Sequence, residues 1–147
     1  LTVPKTRKSS SKTTLKDIKI NYDHKWQKEH WQSLMSSYRS SPFFEYYEDE
    51  MKSILYKKYT NLVDLNMEML IFISTKIGIS TDFKFTKAYS KETEQNDLRN
   101  HKFNTIEFPQ YIQVFENKHG FISNLSILDL LFNEGNNSKH YLESLKL

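Results

Sequence analysis

The stretch "DHKWQKEHWQSLMSSYRSSPFFEYY", residues 23–47, contains two tryptophans, five other aromatic residues and two histidines. In its first half, large side chains recur at steps of three and four residues. They are Trp26, His30, Trp31, Leu34, Met35 and Tyr38. This spacing predicts an amphipathic helix over residues 25–39, with Asp23 as its N-cap. Aromatic rings can also stack on a sugar, but a buried helix face needs the same pattern, so we expect the stretch to be mainly core.

Two further helices are predicted directly after the first. The Ser-Pro pair at residues 41–42 predicts the start of a helix that runs to about Tyr59, because Pro at the first helical position needs no N–H partner. Asn61 and Asp64 have the spacing of a capping box and open a third helix. Gly78 is expected to end that helix in the left-handed conformation.

Two short segments alternate apolar and polar side chains, which is typical of strands with one buried face. Residues 18–22 place Ile, Ile and Tyr at every second position, and residues 1–3 ("LTV") are expected to pair with them as a hairpin. The second segment is "ISTDFKFT" (79–86). Both are predicted to be strands, and "YIQVF" (111–115) is predicted to be strand-like or extended.

The C-terminal part predicts a helix that is capped by Ser126 and ends at Gly135. A short helical tail over residues 141–145 follows. Three to four longer helices with a few short strands indicate the α+β class, as a helix-rich single domain over residues 1–147.

Composition excludes several kinds of site. The chain has no cysteine, which excludes disulfides, thiolate zinc sites and cysteine nucleophiles and fits a reducing cytoplasm. Only 3 residues are glycine, and neither GxGxxG nor GxxxxGK followed by Ser or Thr occurs, so the Gly-rich loops that hold dinucleotides and nucleoside triphosphates are absent. No cofactor is expected. No metal site is expected either, because His24 and His30 fall on different helix faces and HExxH is missing.

Charge and hydropathy narrow the choice of partner. The net charge of +3 weakly favours anionic molecules. No recognised motif orders the basic residues near the N-terminus, so we do not expect a nucleic-acid partner. The longest purely apolar run, "LIFI" (70–73), is far shorter than the roughly 18 residues that a membrane span needs. No transmembrane segment is therefore expected.

Three longer motifs resemble the WbqC-like protein family of bacteria. They are "KWQKEHWQSLMSSYRSSPFFEYYEDE" (25–50), "DLNMEML" (64–70) and "YIQVFENKHGFISNLSILDLLFNEG" (111–135). Together with "LTVP" (1–4), they form an ordered set that extends over most of the chain. The resemblance implies a cytoplasmic protein of surface polysaccharide or glycoconjugate assembly, with no reaction assigned to the family. It also implies a preceding region with an aromatic-proline stretch and an Asn-Arg pair, so we expect this chain to lack its N-terminal region.

His30 is the predicted catalytic residue. It matches the His of the family pattern and lies one helical turn from Trp26 and from Leu34. A histidine in an aromatic setting can act as a general base near neutral pH. The alternative is that His30 only donates a hydrogen bond to a backbone carbonyl in the core.

Four polar residues are predicted to bind substrate. They are Asn66, Arg99, Gln113 and His119. The guanidinium of Arg99, with Asp97 and Asn66 beside it, suits a phosphate or a carboxylate. Gln113 and His119 come before the "GF" turn, on loops that carry function more often than core positions do.

Two functions remain open at this point. The first is a cytoplasmic transferase that modifies an activated sugar or another anionic small molecule. The second is a non-catalytic binding or scaffold protein, in which Leu128, Leu131 and Phe132 of the closing helix dock on a protein partner.

Overall fold

The computed structural model describes residues 1–6, 13–88, 97 and 107–145. The part of the chain it describes contains six α-helices. They are α1 (Trp26–Tyr38), α2 (Phe44–Tyr56), α3 (Leu62–Ile77), α4 (Glu116–His119), α5 (Ile127–Glu134) and α6 (Ser138–Ser144). Short 3-10 turns lie at Leu15–Asp17 and at Gly135–Asn137. None of the helices in these described residues is long and apolar enough to cross a membrane.

The core forms around α5, which packs against α2, α3 and α6. Phe132 of α5 is fully buried, and its ring centroid lies 5.0 Å from that of Phe44 and 5.1 Å from that of Tyr38. Trp31 continues the cluster, with its ring 6.1 Å from the ring of Phe44. Burial of large aromatic side chains contributes strongly to stability. The prediction that residues 23–47 are mainly core is confirmed, since four of its large rings are at most 7% exposed: Trp26, Trp31, Phe44 and Tyr47.

The helix ends confirm some predicted caps and correct others. Gly78 ends α3 with φ 79°, and the side chain of Ser126 accepts a hydrogen bond from the backbone N–H of Leu128 at the start of α5, as predicted. Asp23 does not cap α1, since the N-cap position is Lys25, and the carboxylate of Asp23 accepts a hydrogen bond from the side chain of Asn21. Ser41 closes the turn after α1 by donating to the carbonyl of Tyr38. Helix α2 begins at Phe44, two residues after the predicted first position, Pro42.

The predicted α+β class is wrong, because the described residues contain no strand and no sheet. Residues 18–21 do lie extended between residues 4–6 and 60–62, held by backbone hydrogen bonds of 2.8–3.1 Å on both sides. Only two isolated bridges result. A ladder cannot lengthen here, since Pro4 has no N–H to donate, a 3-10 turn precedes residue 18, and α3 begins at Leu62.

The strand predicted over residues 79–86 is not formed, and residues 111–115, predicted to be strand-like or extended, take no part in a sheet. In residues 79–86, Phe83 is half-buried and Phe85 is 54% exposed, so the alternation does not mark one buried face. In residues 111–115 the buried side chain is the polar Gln113, and α4 follows directly. The described part of the protein is therefore an all-helical fold with extended connections.

Candidate functional site

A cleft of about 280 Å³ lies where the chain before α4 meets α5 and α6. Its walls combine aromatic and aliphatic side chains with one amide, and they include Phe108, Tyr111, Asn124, Leu125, Tyr141 and Leu142. A hollow of this size, mostly apolar with a few polar groups, is the usual form of a small-molecule site.

A buried carboxylate lies behind this cleft. Asp129 is 5% exposed, in the first turn of α5, where the helix dipole favours negative charge. Its Oδ1 accepts a hydrogen bond of 2.7 Å from the hydroxyl of Tyr111. The side-chain amide of Asn133, one turn further along α5, donates to the same oxygen at 3.4 Å and to the backbone carbonyl of Asp129 at 2.9 Å. The carboxylate is therefore satisfied within the protein, as a buried charge must be.

Tyr111 and Tyr141 form one wall of the cleft. Their rings meet edge to face, with centroids 5.3 Å apart. The hydroxyl of Tyr141 donates a hydrogen bond of 2.8 Å to the carbonyl of Pro109, so α6 is tied to the segment that carries Tyr111. The ring of Phe121 packs edge to face on the other side of Tyr111, at 5.6 Å. Aromatic contacts therefore hold Tyr111 from two sides.

The tyrosines around Asp129 keep their protons at neutral pH. Burial raises the pKa of Tyr111, and the hydrogen bond to Asp129 raises it further. Burial also raises the pKa of Tyr38 to about 12, and the charge of Asp129 adds to this rise. Burial raises the pKa of Tyr141 as well, with a smaller contribution from Glu134. A neutral phenol can donate and accept hydrogen bonds, but it is a poor base.

A comparison with models of protein families identifies the family of this chain. The sequence model of the WbqC-like protein family matches residues 1–100 and 95–141. The chain belongs to the WbqC-like protein family. A comparison with curated proteins found no match, and a comparison with solved structures found none either.

In this WbqC-like chain, Gln113 holds a loop together next to the cleft. Its Nε2 donates to the carbonyl of Ile122 at 2.8 Å, and its Oε1 accepts from the N–H of Ile122 at 2.9 Å. Because both ends of the amide are used, Gln113 closes the loop over residues 113–122 much as a backbone pair would. Its predicted contact with substrate stays a prediction.

His30 of the WbqC-like chain lies on α1, half-buried against Trp26, with ring centroids 5.1 Å apart. Its Nε2 is 3.3 Å from the carbonyl oxygen of Thr2. Burial lowers the pKa of His30, and the hydrogen bond to Thr2 opposes this effect. The imidazole is thus neutral at pH 7, as a general base must be. The catalytic role of His30 stays a prediction. The contact with the carbonyl of Thr2 is the kind of hydrogen bond expected if His30 has only a structural role.

The remaining predicted substrate contacts lie apart from the cleft walls or outside the described residues. Asn66 is exposed on α3, and His119 is exposed at the last position of α4. Arg99 lies outside the described residues. No hydrogen bond, ion pair or ring contact found among the described residues joins His30, Asn66, Gln113 and His119 to one another. Within the same residues, no three His, Asp or Glu side chains meet as a metal ion would need.

The closing helix does not offer the docking face that the sequence suggested. Leu131 and Phe132 are fully buried in the core, and Leu128 packs against it. A protein partner could reach Leu131 or Phe132 only if the core opened.

The sequence predictions missed Tyr111, Asp129 and Tyr141. One signal for Asp129 was available, because it interrupts the apolar run "ILDLLF" at a position between Leu128 and Leu130. A charged residue inside such a run is rarely buried without a partner. Nothing in the sequence, however, identifies Tyr111 as that partner.

Proposed function

We propose that this WbqC-like protein binds the sugar unit of an activated sugar in the cleft beside α5 and α6. We further propose that it acts in the bacterial cytoplasm as a transferase of surface polysaccharide or glycoconjugate assembly. The observation that carries the binding proposal is the cleft wall formed by Tyr111 and Tyr141, with the carboxylate of Asp129 fixing one hydroxyl. The pathway is proposed from what the resemblance to the WbqC-like family implies, and the match to the family model itself establishes only membership.

A pyranose ring presents both apolar C–H groups and polar hydroxyls. Its C–H groups form an apolar face that stacks on aromatic rings, as other flat apolar groups do. Its hydroxyls need hydrogen-bond partners when they leave water. The cleft supplies rings from Tyr111 and Tyr141, and polar atoms from their hydroxyls and from the amide of Asn124. A volume of about 280 Å³ suits a group of the size of one sugar unit.

Calorimetry tests this proposal with nucleotide sugars and with the matching free nucleotides. Sugar recognition predicts heat with at least one nucleotide sugar and at least tenfold weaker binding of its free nucleotide. At a ligand concentration 100 times the dissociation constant, the free energy of unfolding should rise by about 2.7 kcal/mol. Equal affinity for the free nucleotide, or no binding by any nucleotide sugar, would contradict the proposal.

A matched pair of variants locates the binding. Leu125 and Ile79 are both 40% exposed, but only Leu125 lines the cleft. Leu125→Trp adds a bulky ring at the cleft wall and should abolish the binding heat, because the indole fills the space that the sugar needs. Ile79→Trp adds the same ring elsewhere and should leave the affinity unchanged.

A further inference from the structure

Both tyrosine hydroxyls of the cleft already donate a hydrogen bond within the protein. Tyr111 donates to Oδ1 of Asp129 at 2.7 Å, and Tyr141 donates to the carbonyl of Pro109 at 2.8 Å. A phenolic hydroxyl has one proton and two lone pairs. Tyr141 can therefore still offer its lone pairs to a ligand as a hydrogen-bond acceptor, whereas Tyr111 can offer only the lone pair that the side-chain amide of Gln113 leaves free.

The Asp129 carboxylate strengthens this preference. A hydroxyl that donates to a carboxylate becomes a better acceptor, because hydrogen bonds in a chain polarise one another. The only side-chain donor along the described cleft wall, other than these two hydroxyls, is the amide of Asn124, which also carries an acceptor oxygen. Acceptors thus outnumber donors in the cleft.

The charged groups that act on the two tyrosines of the cleft are carboxylates. None of the described side chains that line it is Lys, Arg or His. Asp129 lies directly behind Tyr111, and the charge of Glu134 acts on Tyr141. In a site of reduced dielectric constant, an anionic ligand group would meet repulsion from these carboxylates with no cation in the wall to offset it.

We propose that the cleft selects a sugar unit that presents hydrogen-bond donors and carries no negative charge, with an amino sugar in its ammonium form bound most tightly. This inference rests on the proposed function, and it adds the substrate class. An ammonium group brings three donors, and it gains attraction from the charge of Asp129 behind Tyr111. The phosphates of an activated sugar would then lie outside the cleft.

A charge series tests this inference on the protein itself. The probes are the methyl glycosides of glucosamine, glucose and glucuronic acid, and the same three in the galacto configuration, titrated at pH 7 by NMR. Within each configuration we expect the amine to bind more tightly than the neutral sugar, and the uronic acid to bind at least tenfold more weakly than the neutral sugar. An amine that binds no more tightly than the neutral sugar would overturn the preference for the ammonium form. A uronic acid that binds as tightly as the neutral sugar would overturn the inference and leave the proposed function intact. Absence of binding by all six glycosides would overturn both.

Variants distinguish the effect of losing a tyrosine hydroxyl of the cleft from unspecific effects of mutation. Tyr141→Phe removes one acceptor and keeps the ring, so the preference for the amine over the uronic acid should fall severalfold. Tyr46→Phe is the matched control, because Tyr46 is 78% exposed on α2 and does not line the cleft. Asp129→Asn removes the carboxylate charge. If this variant folds, its preference for the amine over the uronic acid should be smaller than that of the unmodified protein. An unchanged preference in Tyr141→Phe and in folded Asp129→Asn would contradict the inference.

Discussion

Gly135, at the junction of α5 and α6, shows how one residue can determine the packing of two helices. Its φ is 55°, and a Cβ placed there would lie 2.7 Å from Cδ1 of Phe43. Real Cβ atoms do not approach a carbon this closely, so the ring of Phe43 would have to move. The sequence predicted that Gly135 ends a helix, but it could not reveal that Phe43, 92 positions earlier in the chain, uses the space of the missing side chain.

We expect Gly135→Ala to be more destabilising than the same change at Gly78. At Gly78, φ is 79° and the nearest atom to an added Cβ is Cδ of Lys139 at 3.8 Å, so only the backbone strain of about 1–2 kcal/mol applies. At Gly135 the clash with Phe43 adds about 1–3 kcal/mol of overpacking. Chemical denaturation of the two variants measures the difference in free energy of unfolding. Equal losses would show that the Phe43 contact does not constrain the fold.

At the scale of elements, helix starts that look alike in sequence differ in structure. Ser126 accepts a hydrogen bond from the N–H of Leu128, whereas the side chain of Asn61 makes no cap hydrogen bond and instead donates to Asp64 at 3.4 Å. We therefore expect Ser126→Ala to cost about 1 kcal/mol of stability, the usual value for a lost N-cap. Asn61→Ala should cost only about 0.2–0.5 kcal/mol, as for an exposed side-chain pair. Urea unfolding distinguishes the two, and a larger loss for Asn61→Ala would contradict the assignment of the caps.

The helices were predictable from sequence because their signals are local. Steps of three and four residues located α1 and α2, and Gly78 and Ser126 marked helix ends where the structure has them. Strands depend on partners, and this is where prediction failed. Alternation in residues 18–22 correctly placed Ile20 in the core, yet the neighbouring segments offer too few consecutive donors and acceptors to form a sheet.

At the scale of the whole molecule, the site depends on contacts between residues far apart in the chain. The Tyr111–Asp129 hydrogen bond spans 18 positions, and the Tyr141–Pro109 bond spans 32. Neither has a signature in composition or spacing. The predicted site residues were instead chosen from local patterns and from the family motif, and the structure distributes the described ones over α1, α3, α4 and the connection before α4. The aromatic stretch that first suggested a ligand platform is core, and the cleft lies nearer the C-terminal end.

The most direct test of this account is a methyl-labelled NMR titration of the protein with the methyl glycoside of glucosamine. The cleft proposal predicts that the largest shift changes fall on the methyl groups of Leu125, Ile127 and Leu142, which line the cleft. The methyl group shifts of Ile71 on α3 should stay unchanged, since Ile71 is exposed on another surface hollow. Shift changes centred on Ile71, or on Ile20 in the core near the N-terminal segment, with none at Leu125, Ile127 and Leu142, would contradict the central claim.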